Sequence, residues 1–88
     1  MPDIEVTEHL EANRGAYSIH TSEGAAELTF SIASETLRIA DHTQVPRALE
    51  GKGYAYALYR HMVAQARESG FKIVPLCPYV NAQMARHP

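Results

Sequence analysis

The 88-residue chain holds a single cysteine, Cys77, and that scarcity excludes much. No disulfide can close within the chain, and a four-thiolate zinc site lacks its ligands. A lone free thiol also fits a reducing compartment better than secretion. Long apolar runs are missing as well. No stretch approaches the roughly 18 apolar residues of a membrane helix, and the N-terminus, MPDIEVTEHLEANR, carries acids where a signal peptide carries bases and a greasy run. A cytoplasmic protein with no membrane partner is expected. Nor is there an excess of positive charge: the formal net charge is −2, which argues against nucleic acid as a partner. Repeats, low-complexity tracts and linkers are absent, so residues 1–88 read as one domain. What is present is ordinary for a globular chain, 45% hydrophobic and 20% charged. A domain this short buries only about 60% of the surface its unfolded chain exposes. Its thin core is expected to be completed by a ligand or a second copy, so a homodimer is one expectation.

Three segments carry strand signals. Residues 15–20 alternate small or polar with bulkier side chains, and Thr21-Ser-Glu-Gly24 collects turn formers. Residues 25–32 follow with Ala26, Leu28, Phe30 and Ile32 at period two. Residues 36–40 place Leu37 and Ile39 on one face, after a turn at Ala33-Ser34-Glu35. Together they predict an antiparallel meander with one apolar side. From residue 53 to 69 the period becomes helical, with Ala55, Leu58, Tyr59, Met62 and Ala66 on one face and Arg60, His61, Gln65, Arg67 and Glu68 on the other. Gly70 stops that helix as a left-handed cap. Residues 71–74 form a short apolar strand, parallel to an earlier one by the right-handed crossover rule. Pro78 opens a short final helix with Val80 and Met84 one turn apart. The order β-β-β-α-β-α defines an α/β fold with a long helix across the sheet.

The strongest local motif joins the third strand to the long helix: Gln44-Val-Pro-Arg-Ala-Leu-Glu-Gly-Lys-Gly-Tyr-Ala55. Gly51 and Gly53 clear side chains from a loop that opens a helix, so bare N–H groups face outward at the positive end of the helix dipole. Such a loop accepts a phosphate or pyrophosphate. Lys52 and Arg47 add positive charge. The pattern is neither a Walker A loop nor the dinucleotide fingerprint, and a plain glycine-rich helix cap explains it equally well. Pro46 and Pro75 each remove a backbone donor where the third and fourth strands are expected to pair. The expectation is that these strands part at their carboxyl ends, where ligands enter α/β sheets.

These motifs, in this order, resemble the GNAT superfamily of acetyl-CoA-dependent N-acetyltransferases, and most closely its very small stand-alone members. The matching segments are Asp41-His-Thr-Gln-Val-Pro46, Leu49-Glu-Gly-Lys-Gly53 and Pro75-Leu-Cys-Pro-Tyr-Val80, followed by Arg86-His-Pro88, within residues 24–88. The resemblance implies a minimal GNAT-like fold: an antiparallel meander plus one parallel strand, a long helix across the sheet and a short C-terminal helix. It implies acetyl-CoA as cosubstrate and an unidentified amine as acceptor. Backbone at Thr43, Gln44 and Val45 would hold the pantetheine arm, and Gly51, Lys52, Gly53, Tyr54 and Ala55 the pyrophosphate. There are departures. Glu50 stands where the superfamily prefers Gln or Arg. Gln83 aligns with the tyrosine that protonates the leaving thiolate in larger relatives and cannot serve as that acid. The helices and strands that build the acceptor pocket of larger relatives have no counterpart in these residues. A CoA-binding sensor or interaction module without efficient transfer is therefore the alternative reading.

Two residues are candidates for catalysis. Cys77 precedes Pro78 at the start of the last helix, where the dipole lowers a thiol pKa, so it can take the acetyl group as a thioester or simply pack beneath the helix. His42, at the end of the third strand, can deprotonate an ammonium acceptor or Cys77, or hold the strand end through a backbone carbonyl. Asn81, one turn beyond Cys77, can orient a carbonyl or amide. Among the tyrosines, Tyr59 is expected in the core, Tyr56 on a flank and Tyr54 near the phosphate turn. The five histidines show no metal-ligand spacing, so no metal is expected.

Overall fold

The period-two run through Ala26, Leu28, Phe30 and Ile32 lies in the middle strand of a five-stranded sheet. The computed structural model describes residues 4–86. Its elements are β1 (Thr7–Leu10), β2 (Arg14–Thr21), β3 (Gly24–Ser34), β4 (Leu37–Gln44), a 3-10 turn (Arg47–Leu49), α1 (Tyr54–Ser69), β5 (Lys72–Pro75) and α2 (Pro78–Arg86). The strands run β1-β2-β3-β4-β5 in space, antiparallel up to β4, with β5 parallel to β4. No helix among the described residues is long and apolar enough to cross a membrane.

The fold follows the expected β-β-β-α-β-α order with one strand added. β1 was not anticipated, because all four of its residues are exposed and it shows no apolar alternation. It exists by pairing with β2, from Thr7 opposite Ser18 to Leu10 opposite Gly15.

Register assigns the faces. Tyr17 lies opposite Leu28, and Ile19 opposite Ala26, so these four and Phe30 share the face that receives the helices. α1 lays fully buried Leu58 and Met62 and nearly buried Tyr59 against them. Each such side chain contributes about 1.5–3 kcal/mol through removal from water. His61 leaves the polar helix face predicted for it and sets its ring edge-on to Tyr17, 4.9 Å away. Phe71, just before β5, Cys77, just before α2, and Val80 of α2 complete the core. Both helices occupy one face, and the other presents Glu27, Thr29 and Ser31 in alternation with the core residues of β3.

Two terminations were correctly expected. Gly70 caps α1 at φ 80°, its N–H donating to the carbonyl of Ala66 at 2.8 Å. Pro78 is the first residue of α2, a position where a missing N–H costs no helical bond.

Candidate functional site

β4 and β5 are hydrogen-bonded neighbours only from Leu37 opposite Lys72 to Ala40 opposite Pro75. Beyond that point β4 continues alone on this side for residues 41–44, so the strands do part at their carboxyl ends. The cause differs from the expected one. The Lys72 N–H donates to the Thr36 carbonyl at 2.8 Å, which in a parallel ladder faces residues 72 and 74 toward β4 and Pro75 outward. Pro75 therefore removes a donor from the free edge of β5, not from the β4–β5 ladder. Pro46 follows the end of β4 and takes no part in pairing. The strands part because β5 turns: the Leu76 N–H folds back onto the Val74 carbonyl (3.1 Å), and the Cys77 N–H reaches the Ala40 carbonyl (2.8 Å).

A bulge aims the open segment of β4. Phe30 opposes Ala40 and Thr29 opposes His42, leaving Asp41 as the extra residue. Its carboxylate accepts a hydrogen bond from the Ser31 hydroxyl at 2.6 Å. The bulge keeps Ala40 and Thr43, three residues apart, on the helix face. Thr43 thereby meets the cysteine, with Oγ1 3.3 Å from Cys77 Sγ. Cys77 is 2% exposed. Burial alone would raise its pKa, but hydrogen bonds from the Thr43 hydroxyl and from backbone at Val80, Tyr79 and Thr43 outweigh it, and the thiol lies below its usual 9.0.

The glycine loop forms the other end of the site. Leu49, 1% exposed, pins the 3-10 turn to the protein, and Gly51 and Gly53 follow at φ 78° and 82°. Side-chain-bearing residues pay roughly 1–2 kcal/mol for that conformation. A Cβ at either glycine would meet nothing within 4 Å, so the backbone faces open space. No side chain caps α1, and no acid stands in its first turn. The helical ladder begins with the Ala57 N–H on the Gly53 carbonyl at 3.0 Å, so the N–H groups of Tyr54 and Ala55 precede it at the positive end of the dipole. A cavity of about 200 Å³ lies before this turn, lined by Val45, by Leu49, Glu50, Gly51 and Gly53, by Tyr54, Ala55 and Tyr56, and by Tyr79 of α2.

The expected site residues are distributed unevenly. Val45, Gly51, Gly53, Tyr54 and Ala55 share this cavity, and Thr43 contacts Cys77. Lys52 turns away, its Nζ 3.8 Å from Glu23 in an exposed ion pair. His42 and Gln44 are exposed on the opposite face from Thr43. His42 thus cannot act directly on Cys77, and a role for it lies with a group arriving across the open face. Asn81 donates its N–H to the Cys77 carbonyl at 2.9 Å, and its side chain is exposed. The three tyrosines fall as expected: Tyr59 buried, Tyr56 38% exposed, Tyr54 at the first turn. Sequence reasoning missed Tyr79. It lines the cavity, its hydroxyl is hydrogen-bonded by Gln83, and burial raises its pKa, so it stays protonated at neutral pH. The available signal was an aromatic residue directly after Pro78.

Charge divides along the same line. Residues 1–44 hold eight of the ten acids and two of the eight Lys and Arg residues, a formal −6. Residues 45–88, which supply the loop, both helices and β5, hold the other two acids and six cations, a formal +4.

A sheet parted at its carboxyl ends, beside an uncapped glycine turn in a cationic half, is an arrangement in which α/β proteins take anionic ligands. The family comparison agrees: the GCN5-related N-acetyl-transferase model Acetyltransf_CG matches residues 16–88, and the chain belongs to that family. It is an N-acetyltransferase domain of minimal GNAT fold, the class that the order of its motifs resembles. Comparison with curated proteins found no match.

Proposed function

We propose that the chain transfers the acetyl group of acetyl-CoA to an amine through a thioester on Cys77. The observation that carries this reading is the Cys77 thiol, at the start of α2 where β4 and β5 part, with Thr43 Oγ1 3.3 Å from its sulfur. The loop from Gly51 to Ala55 holds the pyrophosphate, and backbone at residues 43–45 holds the pantetheine arm. In the first step Cys77 Sγ bonds to the acetyl carbon, the carbon–sulfur bond to CoA breaks, and CoA leaves as a thiol with the proton given up by Cys77. In the second step the amine nitrogen attacks the Cys77 thioester, the new carbon–sulfur bond breaks, and the nitrogen's surplus proton returns to the Cys77 sulfur, directly or through solvent, which restores the thiol. Backbone N–H groups at the parted strands stabilise the oxyanion in both steps.

Intact-protein mass spectrometry after mixing with acetyl-CoA tests the route. One acetyl group on the wild type, absent from Cys77→Ala and discharged by added amine, is expected. Unlabelled Cys77 with undiminished turnover in Cys77→Ala would leave direct transfer in its place. Calorimetry tests the donor: Gly53→Asp loses acetyl-CoA binding, whereas Gly53→Ala, with the same backbone strain and no charge, retains part of it. Gln83, which hydrogen-bonds Tyr79 in place of an acid, favours a second reading: a CoA-binding module without efficient transfer. Tight acetyl-CoA binding with neither labelling nor turnover would establish it.

A further inference from the structure

The sheet face that carries no helix holds a cavity of about 160 Å³. Ala16 and Thr29, opposite one another on β2 and β3, line it. Asp41 lines it from β4, Arg14 from β2, and His9 and Glu11 from β1 and the turn that follows. Asp41 is the half-buried extra residue of the β4 bulge, fixed by the Ser31 hydroxyl at 2.6 Å. Arg14 is exposed and stands opposite that same Ser31 on β2. A carboxylate and a guanidinium thus flank one serine, yet no ion pair among the described residues includes either of them. The cavity also borders the reacting group. Asp41 directly follows Ala40, whose carbonyl takes the Cys77 N–H at 2.8 Å, and His42 shares the open face opposite Thr29.

Opposite charges that line one cavity without meeting are complementary to a molecule that carries both. β2 and β4 lie two strand spacings apart, about 10 Å. The two side chains, with an amine and a carboxylate borne on one carbon between them, close that span. A simple monoamine would satisfy Asp41 and leave Arg14 without a partner. A diamine bridging Asp41 and Glu11 would have to lie across Arg14, which stands between them in strand order. We propose that the acetyl acceptor is a free α-amino acid, its ammonium on Asp41 and its carboxylate held by the planar fork of Arg14. This rests on the chain transferring acetyl from acetyl-CoA. The amine arrives as an ammonium and leaves one proton to solvent before its neutral nitrogen attacks the acetyl carbon at Cys77.

Acetyl-CoA consumption by the full chain, with glycine, alanine, serine and leucine each set against its own α-amide, tests the assignment. The amide's amine is the less basic and so the more abundant in its neutral, attacking form at pH 7, which means bare reactivity favours the amide. The wild type is expected to reverse that order, with kcat/KM about tenfold higher for at least one acid than for its amide, as one charge-assisted carboxylate contact gives. Arg14→Ala brings that acid down to the level of its amide, and Arg14→Lys restores part of the preference. Asp41→Asn, which still accepts the Ser31 hydrogen bond, lowers acid and amide together. The assignment is overturned by a wild type that favours every amide, by an Arg14→Ala protein that keeps the preference, by an Asp41→Asn protein with full activity, or by 1,4-diaminobutane outperforming every acid. Calorimetry separates the two readings: a chain that binds acetyl-CoA but acetylates no free amino acid refutes this acceptor, and one that binds no acetyl-CoA refutes the donor reading itself.

Discussion

At Cys77, two opposing effects act on one thiol. Burial disfavours the thiolate, and short hydrogen bonds from Thr43 and the first turn of α2 favour it, with the second winning. Thr43→Val removes the hydroxyl while preserving shape, so the thiol pKa must rise. A pH titration of thiolate ultraviolet absorbance, with Cys77→Ala as blank, is expected to show the midpoint move to higher pH; an unmoved midpoint would mean Thr43 contributes nothing. The sign extends to stability. A folded-state pKa below the unfolded value contributes stability that is full above about pH 9 and lost as pH falls through the native value, and in Thr43→Val that slope flattens. The sequence revealed Cys77 through its position before Pro78, and Thr43 only through the family resemblance, as backbone for the pantetheine arm. That the two touch could not be read, because it depends on the Asp41 bulge, which no local pattern announces. Tyr79 was hidden for a similar reason: its role comes from a cavity whose other lining residues, Val45 to Tyr56, are distant in the chain.

At the scale of elements, legibility followed burial. Strands and helices that hide one face were visible as period two or period 3.6, and glycine or proline marked their ends. β1 hides no face and was invisible, and β4 runs on to Gln44 because β3 pairs with it past the last apolar alternation. What fixes β1 against β2 is partly a glycine. A Cβ on Gly15 would come within 2.6 Å of the Phe30 ring, 2.8 Å of Leu10 and 2.9 Å of the His9 carbonyl. The ring could shift, but the carbonyl belongs to the β1 backbone and cannot move without opening the strand pair. Gly15→Ala is therefore expected to cost about 1–3 kcal/mol, as an overpacked site does. Gly70→Ala strains only a left-handed φ in open space and costs about 1 kcal/mol. Chemical denaturation of both variants checks the order. Equal midpoints would show that β1 yields freely and is a weak addition to the sheet.

For the whole molecule, net charge and local charge make opposite predictions. A chain of net −2 repels an anionic donor, so added salt should speed association by screening the repulsion. The partition into a −6 sheet half and a +4 half carrying the loop and helices predicts the reverse. An acetyl-CoA molecule approaching the loop meets the cationic half first, and close to the surface the nearer charges dominate, because the Debye length shrinks from about 30 Å at 0.01 M salt to about 10 Å at 0.1 M. Association is then steered, and steering weakens as salt rises. Stopped-flow binding across that salt range is expected to show the association rate for acetyl-CoA falling several-fold, while that for acetyl-pantetheine, which lacks the phosphates, stays flat. A rate that climbs with salt would mean the acidic sheet governs the approach, and the charge division would then bear on the acceptor side alone. The same division explains why composition misled about electrostatics: ten acids against eight cations average to an unremarkable net charge, and only their order along the chain separates a cationic half, residues 45–88, from an acidic one, residues 1–44.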